Sequence, residues 1–196
     1  MLRRRALIGL ALSLPAMMAS CGPGSGNGRA DGGGDSGVTS VTGSQPLNAL
    51  TSAQIMQLCA DVAAYVVQIP AADKCKISGV SGAIIARDNG TATTDAQLQS
   101  ACMSAVNLCP GNPQDGGTCD IGDTSTCAAT ATVSEYTTCL SDLVTGTEQV
   151  ASTLPTCGTL TASSVSAADS ALASAADPAS CVKLTTDCPN LKVVDN

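Results

Sequence analysis

Eleven cysteines and no histidine decide which chemistry this 196-residue chain can perform. Apart from Cys21, ten cysteines remain: Cys59, Cys75, Cys102, Cys109, Cys119, Cys127, Cys139, Cys157, Cys181 and Cys188. An even set of this size reads as five disulfides in an oxidising compartment. Zinc is the competing use, but no C-x2-C or C-x4-C pair occurs, so a metal site would have to gather four scattered thiolates. The same gap argues against a thioredoxin-like redox pair. Without histidine there is no Ser-His or Cys-His pair, and no G-x-S-x-G elbow is present. Lys74, Lys76, Lys183 and Lys192 lie in polar or terminal surroundings. Asp120 and Asp123 have the types for acid and base, but beside glycine they read as turn residues. With Asp115 they would form at most a weak Ca2+ site, because their spacing lacks the EF-hand pattern. The expectation is a non-catalytic chain with no cofactor and no catalytic or metal-ligating residues.

Charge and composition narrow the partners. Without Arg3, Arg4 and Arg5, six basic residues face sixteen acidic ones, a balance near −10 that opposes nucleic acid and anionic surfaces. There is no Trp or Phe, and Tyr65 and Tyr136 are the sole aromatics, so base-stacking platforms and aromatic cages are excluded. The apolar content rests on Ala and Val. Cores built from them are shallow and need covalent support.

The N-terminus reads as an export signal. Arg3 to Arg5 precede an apolar run, Ala6 to Met18, which is too short to span a bilayer, and the small pair Ala19-Ser20 follows. Met18-Ala19-Ser20-Cys21 resembles the lipobox of bacterial lipoproteins. The resemblance covers only the first 22 residues, with Met18 where leucine or valine is commonest. It implies removal of residues 1–20, lipidation of Cys21 with an acyl set such as palmitate, and attachment to the membrane through that lipid in the cell envelope. Gly22 and the absence of acidic residues just after the cysteine favour the outer membrane.

Residues 21–45, rich in Gly, Ser and Asn, read as a disordered linker, and 46–196 as a cysteine-rich helical domain. Thr51 with Gln54 caps a helix over about 51–68 that carries Ile55, Leu58, Cys59, Val62 and Val66 on one face and stops before Pro70. Thr94 with Gln97 opens a second helix bearing Leu98, Cys102, Ala105 and Cys109. Thr132 with Glu135 opens a third, bearing Tyr136, Cys139 and Leu140. An alanine-rich helix from about Ser164 to Ala176 and a short one after Asp177-Pro178 follow. Ile77 to Arg87 fits a strand or a helical turn equally, and 110–131 reads as a loop.

The cysteines at 59, 75, 102 and 109 and those at 139, 157, 181 and 188 form two quartets with gaps of 16, 27 and 7 and of 18, 24 and 7. Both end in C-x6-C-P. This favours two duplicated helical hairpins, over 50–110 and 131–190. Cysteines seven apart on a helix are about 10.5 Å apart, too far for mutual bonding. Nested antiparallel pairing then gives Cys59–Cys109, Cys75–Cys102, Cys139–Cys188 and Cys157–Cys181, leaving Cys119–Cys127, with pairing between the two units as the alternative. The fold class expected is mainly α, a disulfide-stapled helical bundle. The function expected is a structural or interaction module with an envelope protein partner, the alternative being a small-ligand or Ca2+-binding lipoprotein.

Overall fold

The computed structural model describes residues 37–109 and 120–193. Cys21, Asp115, Cys119 and most of the expected linker lie outside them. The protein is mainly α. Among the described residues are six helices: α1 (Ser52–Val66), α2 (Ala71–Asp88), α3 (Asp95–Leu108), α4 (Val133–Thr153), α5 (Ala162–Ala175) and α6 (Ala179–Asp187). Short 3-10 turns lie at Leu47–Ala49, Thr124–Thr126 and Cys157–Thr159. No β-strand occurs among the described residues, where extended pairing is limited to isolated bridges at Pro46–Thr132 and Gly122–Leu191.

Local chemistry sets most of the helix starts. Thr51, Thr94 and Thr132 each accept from the backbone N–H three residues on, while Gln54, Gln97 and Glu135 reach back to the cap. Thr161 with Ser164 does the same for α5 and moves its start ahead of the expected Ser164. Pro70 and Pro178 stand at the N-caps of α2 and α6, where a missing N–H costs nothing. The ambiguous stretch Ile77–Arg87 belongs to α2, 18 residues long.

Two cores share these helices. The first joins Leu58, Cys59 and Val62 of α1 to Val133, Tyr136, Cys139 and Leu140 of α4 and to Cys181 and Leu184 of α6. The second joins Val80 and Ala83 of α2 and Leu98 and Cys102 of α3 to Leu154 and Leu160 around the α4–α5 connection and Val165 and Ala168 of α5. Helix α4, about 31 Å long by its 21 residues, runs from one core to the other. Each core therefore mixes the two halves of the chain, and the expected division into self-contained hairpins over 50–110 and 131–190 is corrected. The linker boundary is corrected too. Val38 and Val41 are buried in the first core, and Val133 and Ser134 donate backbone hydrogen bonds to Gln45 and Gly43.

Among the described residues the disulfides are Cys75–Cys109, Cys102–Cys157, Cys127–Cys188 and Cys139–Cys181, and Cys59 is also disulfide-bonded. None of the expected pairs Cys59–Cys109, Cys75–Cys102, Cys139–Cys188, Cys157–Cys181 or Cys119–Cys127 forms. The physical reason is α2. Nested pairing takes α1 as the neighbour of α3, whereas the antiparallel partner of α3 is α2, which brings Cys75 to Cys109. Cys102, two turns earlier on α3, meets the α4–α5 connection at Cys157. Cys139 on α4 lies against Cys181 on α6, and Cys188 at the end of α6 reaches back to Cys127.

The α2–α3 contact depends on the absence of side chains. A Cβ on Gly79 would lie 2.5 Å from Val106 Cγ2 and 3.1 Å from Cys102 Sγ, and one on Gly82 would lie 2.6 Å from Ala105 Cβ. Gly146 in α4 is different, since its Cβ would sit 3.6 Å from Ala175 Cβ, at ordinary contact distance. Alanine favours a helix over glycine by about 1 kcal/mol, while overpacking a tight contact costs about 1–3 kcal/mol. Gly82→Ala should therefore lower unfolding free energy by up to about 2 kcal/mol, whereas Gly146→Ala should raise it by about 0.5–1 kcal/mol. Denaturant melts of the oxidised proteins check the opposite signs.

Candidate functional site

An open apolar depression of about 380 Å3 lies where the start of α2, the end of α3 and the connection after α4 meet. Cys75, Cys102, Val106, Pro155 and Cys157 form its walls, with Lys76 at its edge. Lys76 Nζ donates to the Ala151 carbonyl at 2.8 Å, on the last turn of α4, where unsatisfied carbonyls favour a cation. Two disulfides thus border the same hollow, Cys75–Cys109 and Cys102–Cys157. Cys75, Cys109 and Cys157 are half-buried, whereas all four cysteines of the Cys127–Cys188 and Cys139–Cys181 bridges are buried.

The acidic residues singled out by sequence are engaged in ties. Asp120 pairs with Lys192 and accepts from the Gly122 N–H at 2.8 Å, and the Lys192 bond followed by that backbone bond holds its carboxyl below the ordinary range. Asp123 accepts from the Ser125 hydroxyl at 2.6 Å and its N–H at 2.9 Å, capping the 3-10 turn, and these bonds lower its pKa. Neither residue lines the hollow. Backbone bonds from Asp123 N–H to Asn190 and from Lys192 N–H to Ile121 complete a strap between 120–123 and 190–192. Gly122 supports it with φ +78° and no room for a Cβ, which would fall 2.2 Å from the Asn190 carbonyl oxygen.

Two further described cations tie elements together. Arg87 on α2 reaches Asp169 on α5 at 2.9 Å and its own neighbour Asp88 at 2.8 Å. Burial alone would lower its pKa, but the two carboxylates outweigh that and raise it. Lys183 on α6 bridges Glu135 on α4 and Asp187, which raises its pKa, while Lys183 lowers that of Glu135. These ties bear on a further pattern in the sequence. Ser180-Cys181-Val182-Lys183 has the Ser-x-x-Lys spacing of a nucleophile and its base. Ser180 donates to Asp142 at 2.6 Å, and Lys183 is held as a cation between two carboxylates, so lysine is not positioned to take a proton from serine.

Among the described residues, no three of His, Cys, Asp and Glu are grouped to hold a metal ion, and no single helix is long and apolar enough to cross a membrane. The disulfides belong to an oxidising, extracytoplasmic setting. No protein-family model, no curated protein and no solved structure matches this chain.

Asp61 on α1 anchors the segment that enters the domain. Its carboxylate accepts from Thr39 Oγ1 at 2.8 Å, Ser40 N–H at 2.9 Å and Gln57 Nε2 at 2.7 Å. Burial would raise its pKa, but these bonds outweigh burial and carry it below the ordinary 3.8. A depressed folded value means that the stabilisation is complete above 3.8 and is lost as pH falls through the folded value. Asp61→Asn should therefore be less stable than the parent by about 1 kcal/mol at neutral pH. The gap should close in strong acid, and the variant should be cleaved faster near residues 37–41. Urea melts across pH and limited proteolysis measure both.

Proposed function

We propose that the chain is an exported bacterial envelope lipoprotein, held to the membrane by lipid on Cys21. Its helical domain is a non-catalytic module that acts by contact with an envelope protein. The observation that carries the domain half of this reading is where its polar chemistry goes. Asp61, Asp120, Asp123, Glu135, Arg87, Lys183 and Lys192 are used to fasten one element to another. A rigid, oxidised, acidic surface is what that arrangement offers a partner. Support for the anchor half comes from the signal pattern ending at Cys21, together with disulfides suited to the compartment such a signal reaches. Gly22 and the non-acidic positions after it favour the outer membrane. The hollow beside Lys76 favours a second reading, a lipoprotein that takes a small apolar ligand.

The anchor is tested by fractionation. The wild-type protein should partition into detergent with a mature mass that includes acyl chains on Cys21, and Cys21→Ser should appear in the soluble fraction or as an unprocessed precursor. Equal partitioning and an identical unacylated mass for both would overturn it. For the module, photo-crosslinking of the tethered full chain in its own envelope should return a discrete adduct of one partner. Saturable uptake of a small apolar ligand by the purified domain, without any adduct, would favour the second reading.

A further inference from the structure

The bridges differ in reach, and the two around the hollow contribute cysteines to the same lining. In the first core, Cys127, Cys188, Cys139 and Cys181 are all at most 7% exposed, so a thiol reagent meets them only after the core opens. Around the hollow, Cys75, Cys109 and Cys157 are half-buried, and Cys102 alone is sealed, at 0%. Cys75, Cys102 and Cys157 line the same space. Lys76 follows Cys75 and lines that space as well, and its single described bond is to Ala151, which leaves donors of the ammonium available to stabilise a thiolate. Cys157 sits on a single 3-10 turn between α4 and α5, the lightest of the elements that carry these sulfurs. Cys75 and Cys102 are fixed on helices locked together at Gly79 and Gly82.

We propose that Cys75–Cys109 and Cys102–Cys157 form a thiol-exchange latch, in which release of Cys75 from Cys109 leads Cys75 to capture Cys157 and unfasten the α4–α5 connection from α3. A dithiol reductant supplies the two electrons. Its thiolate attacks Cys109 Sγ, Cys75 leaves as thiolate beside Lys76, and the reductant's second thiol resolves the mixed disulfide, leaving Cys109 as a thiol and the reductant as a cyclic disulfide. The Cys75 thiolate then attacks Cys157 Sγ, the accessible sulfur of its bridge. The Cys75–Cys157 bond forms as the Cys102–Cys157 bond breaks, and Cys102 takes up the proton that Cys75 lacks. This second step consumes no electrons. The latched and unlatched forms differ in what holds the connection, α3 in one and α2 in the other.

Cys109→Ser isolates the exchange, because it leaves Cys75 free beside an intact bridge without any reductant. The oxidised full-length variant is denatured and alkylated at mildly acidic pH, where exchange is suppressed, and mapped as non-reduced peptides. The expected result is a Cys75–Cys157 peptide with Cys102 alkylated, formed several-fold more slowly when Lys76→Gln is added. An intact Cys102–Cys157 bridge with Cys75 as the alkylated thiol overturns the proposal. Should the variant not fold, brief dithiothreitol treatment of the wild-type protein decides. The latch requires a two-thiol intermediate carrying free Cys102 and Cys109, a Cys75–Cys157 link, and untouched Cys127–Cys188 and Cys139–Cys181 bridges. Free Cys75 and Cys109 as the end state, or earlier loss of the first-core bridges, refutes it.

Discussion

A near absence of large side chains governs this structure. Tyr136 is the single aromatic buried in a core, and Leu, Val, Ala and Cys make up the rest. Helices α2 and α3 meet in close approach. Gly79 and Gly82 remove the side chains that would keep α2 and α3 apart, and Ala101, Cys102, Ala105 and Val106 supply a matching small surface. Close approach recovers dispersion contacts that small residues otherwise forfeit. It also brings cysteine backbones within bridging distance, with Cα–Cα separations of 5.4 Å at both Cys75–Cys109 and Cys102–Cys157. Covalent closure then restrains the unfolded chain where burial is thin. Each of these loops, closing 34 to 61 residues, corresponds to about 4 kcal/mol by chain entropy taken singly.

What the sequence made legible follows from how local each signal is. Thr51, Thr94 and Thr132 mark helix starts because a capping box is complete within four residues, and the stripe Leu58, Cys59, Val62 repeats at helical period before any tertiary contact is known. Helix α2 hides because its packing face is glycine. Gly79 and Gly82 carry no apolar signal and lower helix propensity, and their meaning appears only with α3 in place. Missing α2 carries through to the disulfides, since pairing depends on which helix neighbours which. Val38 and Val41 are a similar case: two apolar residues among Gly, Ser and Thr become core only because α1 and α4 present a surface to cover. Asp120 and Asp123 read correctly as turn residues because Asx geometry is local, whereas the pairing of Asp120 with Lys192, 72 residues on, is not.

The cores are coupled through α4. Its first turns seat Tyr136, Cys139 and Leu140 in one core, and Val150 and Leu154 at its far end pack against the other. Displacing the helix at either end shifts a rigid rod shared by both. The side-chain ties share this geometry: Lys183 fastens α6 to the first turn of α4, Lys76 fastens α2 to its last turn, and Arg87 links α2 onward to α5. Surface ion pairs of this kind contribute little singly. Here they join elements far apart in sequence, Lys183 to Glu135 and Arg87 to Asp169.

The two ends of the domain are therefore built for different degrees of permanence. Around the first core the described chain is closed by the Asp61 clamp on residues 39–40, by the strap of 120–123 on 190–192, and by the Cys127–Cys188 and Cys139–Cys181 bridges, whose cysteines are buried. Around the second core the closure is a pair of half-buried bridges bordering an open hollow, with a cation at the edge and the α4–α5 connection held by one sulfur of a single turn. Val38 and Val41 pack into the closed end, at the first core. The difference follows from where the buried cysteines fall, since Cys127, Cys139, Cys181 and Cys188 are sealed in the first core while Cys75, Cys109 and Cys157 stay half-buried around the hollow.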